Sequence, residues 1–155
     1  MNRLLHIRQV LFHVFWCWLL LFMPRLSFAQ FNQNVWFFGD SAGIDFRDPL
    51  NTVSFESGMD GRGSCGSIVN NTGQILFYAA TQGLNPYSAR VFDSLNQIMP
   101  GADSIAGVQW YNEITITPRP GWSNRYYVFS YISLFTTIGL YCTEVDMTLR
   151  GGLGD

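Results

Sequence analysis

The sequence predicts an all-β protein built from antiparallel sheets. Short runs of aromatic and β-branched residues recur along the chain, and turns containing Gly, Pro and Asn separate them. After residue 30 no segment shows the spacing of apolar residues that an amphipathic helix requires. Aromatic residues make up 16% of the chain and charged residues only 13%, a composition typical of a folded domain and not of a disordered one.

Two predicted hairpins dominate the sheets, at 65–83 and 112–133, with Asn-Asn-Thr-Gly (70–73) and 118–124 as their turns. Ile114 and Ile116 alternate with threonines, so we expect that strand to have one solvated face. The runs at 75–80 and 126–132 are apolar almost throughout, which predicts strands covered on both faces. Shorter strands are predicted at 34–39, 42–46, 89–94 and 138–147.

The two hairpins resemble each other at an offset of about 50 residues, with Phe77-Tyr78 matching Val128-Phe129. Repeats of about 40–50 residues that hold several strands each are typical of propeller blades. We therefore expect residues 30–155 to form an incomplete β-propeller-like domain, equivalent to about two to three opening blades.

The first 29 residues have the three-part layout of a signal peptide. Arg3 and Arg8 supply a basic start, an apolar run follows at 10–23, and Ser27-Phe28-Ala29 offers small residues for cleavage. The apolar run falls short of the ~20 residues that span a bilayer. The sequence thus predicts a helical signal peptide, recognition by the export machinery, and a periplasmic, cell-surface or secreted product.

Cleavage after Ala29 changes the chemistry that remains. Both histidines, His6 and His13, lie in the leader, and the chain has no lysine. Residues 30–155 keep six arginines against eleven carboxylates, a net charge of −5 with no basic cluster, which argues against a nucleic-acid partner. Without histidine, neither a Ser-His-Asp triad nor a histidine zinc site can form.

Two cysteines, Cys65 and Cys142, remain after cleavage. An exported protein meets an oxidising environment in which a disulfide persists, so the sequence allows a bridge between them. The alternative is a pair of buried thiols that never meet.

The segment 61–66, Gly-Arg-Gly-Ser-Cys-Gly, fits the glycine template of a dinucleotide-binding turn. Such a turn opens a helix and needs an acidic residue about 20 positions later. Here the segment runs into a predicted strand, and 83–88 contains no Asp or Glu. We therefore predict a flexible turn with positive-φ positions, with no nucleotide partner and no cofactor.

The weak ligand-contact candidates are Trp110, Tyr111, Glu113 and Trp122. Aromatic faces stack on sugars, and Glu113 beside Trp110 and Tyr111 is the best placed carboxylate for glycosidase chemistry. The alternative interpretation is a carboxylate at a strand end beside packed aromatic residues. We assign no catalytic residue and no metal ligand.

Several segments together resemble the N-terminal β-propeller-like region of large secreted surface proteins from gliding bacteria. Those proteins often carry PKD repeats and end in a gliding-motility-associated domain that directs type IX secretion. The resemblance covers essentially all of residues 34–155. It implies a non-catalytic structural or adhesive role at the cell surface, with surface proteins or glycans as partners. The matching segments are 35–46, 67–80, 96–102, 116–130 and 144–155.

The chain departs from this family in four respects. Asn70 stands where the family usually has Asp, and Asn96 where a histidine is common. Residues 79–83, Ala-Ala-Thr-Gln-Gly, stand where the family usually has Thr-Asp-Gly after the tyrosine. The chain also stops at Asp155, before the remaining blades and the sorting domain, so we expect it to be a fragment. Two other functions stay open: a secreted carbohydrate-binding or carbohydrate-active module, and a truncated pseudogene product without independent function.

Overall fold

The computed structural model describes residue 12 and residues 34–61, 63–108, 114–134 and 137–155. From residue 34 onward these residues form strands and one short 3-10 helix, Arg150–Gly152, so the predicted all-β class is confirmed. The strands are β1 (Val35–Phe38), β2 (Ala42–Asp45), β3 (Val53–Glu56), β4 (Cys65–Val69), β5 (Ile75–Thr81), β6 (Ala89–Asp93), β7 (Ile114–Pro118), β8 (Arg125–Leu134) and β9 (Thr137–Asp146).

The strands form three antiparallel sheets, each made of three strands that follow one another in the chain. Sheet 1 has the order β1-β2-β3, sheet 2 the order β4-β5-β6 and sheet 3 the order β7-β8-β9, and none of the three closes on itself. The predicted signal peptide lies outside the described residues except for residue 12. Within the described part of the chain, no helix is long and apolar enough to cross a membrane.

The turn between β4 and β5 forms where the sequence predicts it. The side-chain oxygen of Asn70 accepts hydrogen bonds from the backbone N–H groups of Thr72 and Gln74, each at 2.9 Å. Gly73 follows with a φ of 79°, a conformation that glycine adopts without steric cost. Local hydrogen bonds by asparagine therefore set the hairpin connection.

Sheet 2 lies between the other two sheets and is covered on both faces. Phe37 of sheet 1 stacks on Tyr78 of sheet 2, with ring centroids 4.2 Å apart. On the opposite face, Phe77 meets Tyr126 of sheet 3 edge to face, at 5.5 Å. Two separate apolar cores result. The first contains Val35, Phe37, Met59, Val69, Tyr78, Ala80 and Phe92. The second includes Ile68, Phe77, Ala79, Val91, Ile114, Tyr126, Val128 and Val145.

The backbones of different sheets approach one another mainly at the first strands β1, β4 and β7. The Ser67 hydroxyl donates to the Val35 carbonyl at 3.1 Å, and the Ile114 N–H donates to the Ser64 hydroxyl at 2.8 Å. These bonds satisfy backbone groups at sheet edges, where unpaired groups would otherwise remain.

Sheet 1 is not a plain copy of the other two sheets. Cys65 bonds to Phe37 and Ser67 to Val35, so β1 and β4 run in opposite directions. By contrast, the turns that follow β4 and β7 lie beside each other, so these two strands run in the same direction. β1 therefore corresponds in direction to β5 and β8, the second strands of the other sheets.

The segment 97–107 lies beside β6 and adds an irregular fourth strand to sheet 2. The Met99 N–H donates to the Val91 carbonyl at 2.9 Å, and the Ile105 N–H donates to the Ala89 carbonyl at 3.0 Å. Single bridges, not a continuous ladder, hold this segment in place.

Two sequence predictions about strands need correction. The first concerns β3, a four-residue strand that the sequence did not predict, because its residues are largely exposed and its alternation of Val53 and Phe55 with polar residues is short. The run at 126–132 was expected to be covered on both faces, but along β8 buried residues alternate with more accessible ones. The reason is that sheet 3 stands at the end of the stack and, among the described residues, has a neighbouring sheet on one side only. For the run at 75–80 the prediction is confirmed, because β5 lies in the middle sheet.

Candidate functional site

The best candidate for a ligand site lies at the turn between β7 and β8, which carries Trp122. The Arg119 N–H donates to the Arg125 carbonyl at 2.8 Å, and the Trp122 N–H donates to the Arg119 carbonyl at 3.1 Å. Gly121 takes a φ of 81° in the same turn. This backbone arrangement leaves the Trp122 side chain 51% exposed.

Two guanidinium groups lie against the Trp122 ring. Arg119 lies 5.1 Å and Arg125 4.5 Å from the ring centroid, within the range of cation–π attraction. Both arginines also bond to one Glu144 oxygen, at 2.6 and 3.0 Å. The indole orientation is therefore held by an ion-pair network anchored on β9.

The neighbouring carboxylate belongs to the same network. Asp146 accepts hydrogen bonds from the Thr148 hydroxyl at 2.6 Å and the Thr148 N–H at 2.9 Å, and it pairs with Arg125 at 2.9 Å. The Thr148 hydrogen bonds, with a smaller contribution from Arg125, hold the pKa of Asp146 below its ordinary value of 3.8. Asp146 is therefore an ionised structural partner near neutral pH.

A cleft of about 520 Å³ lies between this turn and the turn that joins β4 to β5. Its floor is apolar, formed by side chains from both sheets, and its rim carries amide and hydroxyl groups. The lining residues are Asn70, Asn71, Leu76, Pro118, Trp122, Ser123, Asn124, Tyr126 and Met147.

The rim of this cleft can donate and accept hydrogen bonds. The Asn70 side chain is occupied, because it closes its own turn through Thr72 and Gln74. Asn71, Ser123 and Asn124 are exposed, and within the described part of the chain no hydrogen bond to their side chains is formed. Uncharged polar groups beside an aromatic ring suit a neutral, hydroxyl-rich ligand such as a sugar.

Of the four ligand-contact candidates, the structure places Trp122 alone. Trp110, Tyr111 and Glu113 fall in 109–113, outside the described residues. The sequence does not single out Asn71 and Asn124 as site residues, because they come from turns far apart in the chain. The one sequence feature that indicates neighbouring turns is the similarity between the hairpins at 65–83 and 112–133.

The cysteines do not form the disulfide that the sequence allowed, and both are free thiols. The Cys65 thiol donates to the Phe37 carbonyl at 3.1 Å, so it points toward sheet 1. Cys142 is exposed on β9, paired with Phe129, on the face of sheet 3 that points away from sheet 2. Sheet 3 therefore lies between the two thiols. Burial raises the pKa of Cys65, which disfavours its reactive thiolate.

The glycine-rich segment 61–66 leads directly into β4. Its Ser64 hydroxyl accepts the Ile114 N–H, a contact between sheets that the sequence did not reveal. The predicted positive φ is wrong for Gly61 and Gly66. A side chain at Gly61 would lie 2.8 Å from the Thr81 carbonyl, so close backbone packing explains this glycine. In the described ranges no group of three His, Cys, Asp or Glu side chains is placed to share a metal ion.

Comparisons of the chain with protein-family models, with curated proteins and with solved structures found no match.

Proposed function

We propose that this chain is a non-catalytic segment of an exported surface protein with a structural or adhesive role associated with gliding motility. Its three sheets are the opening blades of an incomplete β-propeller-like domain. The observation that carries this proposal is the repeated junction between consecutive sheets, in which a phenylalanine meets a tyrosine of the next sheet. Consecutive antiparallel sheets that stack through such junctions are the arrangement of propeller blades.

The differences between the sheets support an incomplete domain. Sheet 2, with the segment 97–107, has the four strands of a typical blade. In sheet 1, β1 runs opposite to β4 and so has the direction of a second strand. Sheet 3 lacks a fourth strand within the described residues.

The carboxylates Asp93 and Asp45 make hydrogen bonds and ion pairs within their own turns, which supports a structural role for them and not a catalytic one. Asp93 is fully buried and accepts the N–H groups of Leu95 and Gln97, at 2.9 and 3.0 Å. Asp45 pairs with Arg47 two residues away. These carboxylates stabilise turns, which a protein that presents loops for binding requires.

The partners follow from the same proposal. The predicted leader engages the export machinery, and the exposed turns bind cell-surface proteins or glycans. The negative charge of residues 30–155 favours neither nucleic acid nor nucleotide.

An attachment assay tests the adhesive role. Beads coated with the exported chain are expected to bind bacterial cells or their isolated surface polysaccharide, in a manner that soluble chain competes away. Beads coated with heat-unfolded chain serve as the control. Equal attachment of both bead types would contradict the proposal.

A carbohydrate-binding role is the second candidate, and the cleft beside Trp122 favours it. A glycan array with the wild-type chain should then show saturable binding that Trp122→Ala abolishes. Trp36→Ala, which removes an equally exposed indole at another site, is the matched control. Release of reducing sugar that Glu113→Gln abolishes would indicate the carbohydrate-active version instead.

A further inference from the structure

The floor of the cleft beside Trp122 holds a polar group that has no partner within the fold. Tyr126 is 5% exposed and packs edge to face against Phe77, with the ring centroids 5.5 Å apart. Across the part of the chain that the structure describes, its hydroxyl forms no hydrogen bond, and this oxygen is not among the atoms sealed away from solvent. Because Tyr126 lines the cleft, its hydroxyl is placed to meet a ligand there.

This hydroxyl is available to a ligand as a hydrogen-bond donor. Burial raises the pKa of Tyr126, so the hydroxyl keeps its proton and can donate one bond and accept others. Buried polar groups in folded proteins nearly always have a partner. The buried hydroxyl of Tyr78 follows that rule, because it bonds to Gly58 and Asn96 within the fold. A ligand in the cleft would give Tyr126 the partner that the fold does not supply.

The side chains that line the cleft beside Tyr126 are apolar. Leu76 and Met147 contribute to the lining and belong to the same apolar core as Tyr126. A ligand hydroxyl directed at Leu76 or Met147 would lose its water contacts and gain no hydrogen bond, which is unfavourable. A methyl group in the same place is favoured, because its apolar surface leaves water. The floor therefore suits a ligand group that combines a hydrogen-bond acceptor with a methyl.

The charges near the cleft favour an uncharged ligand. The described residues that line it include no Asp, Glu or Arg. The two arginines that contact the Trp122 ring are already paired with carboxylates, Arg119 with Glu144, and Arg125 with both Glu144 and Asp146. A carboxylate or ammonium group on a ligand would thus lose water without meeting a free opposite charge. Acidic sugars and free amino sugars are disfavoured for this reason.

We propose that the cleft binds an N-acetylated amino sugar. The acetamido oxygen accepts a hydrogen bond from the Tyr126 hydroxyl, and the acetamido methyl packs on Leu76 and Met147. The sugar ring stacks on the exposed Trp122 side chain, and the amide groups of the rim bind its hydroxyls. The volume of about 520 Å³ lies within the range of small-molecule sites. The proposal rests on the carbohydrate-binding role, the second candidate function, and names the sugar class and the residue that selects it.

The test is titration calorimetry on the full chain recovered from expressing cells, with N,N′-diacetylchitobiose and cellobiose as probes. These two disaccharides differ in having acetamido or hydroxyl groups at C2. We expect diacetylchitobiose to bind at least tenfold more tightly, with an affinity that does not change with salt. Tyr126→Phe should weaken its binding about tenfold and leave cellobiose binding unchanged. Tyr127→Phe, which removes a hydroxyl from the opposite face of sheet 3, is the matched control.

Thermal melts separate this role from a structural one. Without sugar, Tyr126→Phe should melt at the wild-type temperature, because its hydroxyl has no partner in the described fold. Diacetylchitobiose should raise the melting temperature of wild type more than that of the variant. A variant that is less stable without sugar would overturn the proposal, because the hydroxyl would then be bonded within the fold.

The calorimetry distinguishes failure of this proposal from failure of the carbohydrate-binding role. Equal affinity for the two disaccharides, or equal binding of diacetylchitobiose by Tyr126→Phe and wild type, would overturn the acetamido selection alone. So would binding of other glycans on an array when neither disaccharide binds. If no glycan binds the chain, both the proposal and the carbohydrate-binding role are wrong.

Discussion

The hydroxyl of buried Tyr78 donates a hydrogen bond to the side-chain oxygen of Asn96 at 2.9 Å and accepts one from the Gly58 N–H at 3.0 Å. Asn96 has a φ of 64°, a left-handed conformation that asparagine adopts more readily than most residues. Burial raises the pKa of Tyr78, so the hydroxyl keeps its proton near neutral pH. One side chain thus joins the strand β5 to two loops.

Tyr78→Phe should destabilise the chain because it leaves the Gly58 N–H and the Asn96 oxygen without this partner. We expect a loss of about 1–3 kcal/mol in the free energy of unfolding, measured by urea denaturation. Tyr131→Phe removes a hydroxyl from a 40% exposed ring and is expected to change stability by less than about 0.5 kcal/mol. Equal losses in both variants would show that the Tyr78 bonds contribute nothing specific.

Gly107→Ala should be more damaging than the same change at another glycine with positive φ. Gly107 has a φ of 150°, and a Cβ there would lie 2.7 Å from the Cβ of Ala89. We expect a loss of about 3 kcal/mol, from backbone strain and overpacking together.

Gly101→Ala is the control for this prediction. Gly101 has a φ of 69° and open space around the position of a Cβ. Gly101→Ala should therefore lower the free energy of unfolding only by the cost of holding alanine in a left-handed backbone conformation, about 1–2 kcal/mol. Thermal melts of both variants check the difference, and a Gly101→Ala loss as large as that at Gly107 would contradict the steric explanation.

Thr148→Val should raise the pKa of Asp146 toward its ordinary value of 3.8, because the Thr148 hydroxyl is the main cause of the lowered pKa. A carboxylate with a lowered pKa in the folded state stabilises the fold above its unfolded-state pKa. That stabilisation is lost as the pH falls through the folded-state pKa. The variant should therefore be less stable than wild type near neutral pH, by a margin that shrinks in acid.

Carboxyl-carbon NMR titration measures this change directly. Asp48 provides an internal reference, because its pKa is lowered mainly by the side chain of Asn51, which Thr148→Val does not touch. The prediction is wrong if the two carboxylates shift together or if neither shifts.

Signal-peptide cleavage after Ala29 is expected to give an exported chain that begins at Gln30, as mass spectrometry can check. Ala29→Arg should block processing, because the cleavage site requires a small residue there. Phe28→Leu changes the neighbouring position and should leave processing intact. An intact Met1 terminus on wild-type chain in the membrane fraction would contradict the prediction.

The local elements of this fold could be read from the amino-acid order. The apolar run at 75–80 and the asparagine-glycine turn before it predict β5 and its hairpin, because both depend on residues close in the chain. β3 was not predicted, because this short exposed strand forms by pairing with β2 and its own apolar pattern is too short to indicate a strand. The weak alternation in β3 carries little information on its own.

The candidate site was predictable only in part. Trp122 stands out as an aromatic residue in a turn, but the cleft also needs Asn71, which lies some 50 residues earlier. The two residues line the same cleft because β4 and β7 run in the same direction in neighbouring sheets. That relation depends on contacts between sheets, which no local pattern specifies.

Composition and order alone thus determined the β class, the hairpins and their turns, since backbone preference and hydrophobic alternation act over a few residues. The tertiary structure alone decided that, within the described ranges, sheet 2 has a neighbouring sheet on both faces while sheet 3 has one on a single face. It also decided that Cys65 points from sheet 2 toward sheet 1, while Cys142 lies on the face of sheet 3 that points away from sheet 2. An apolar side chain in the sequence predicts that its burial is favourable, because burial removes apolar surface from water. Which residues bury it depends on which sheets stack together, and only the tertiary structure gives that.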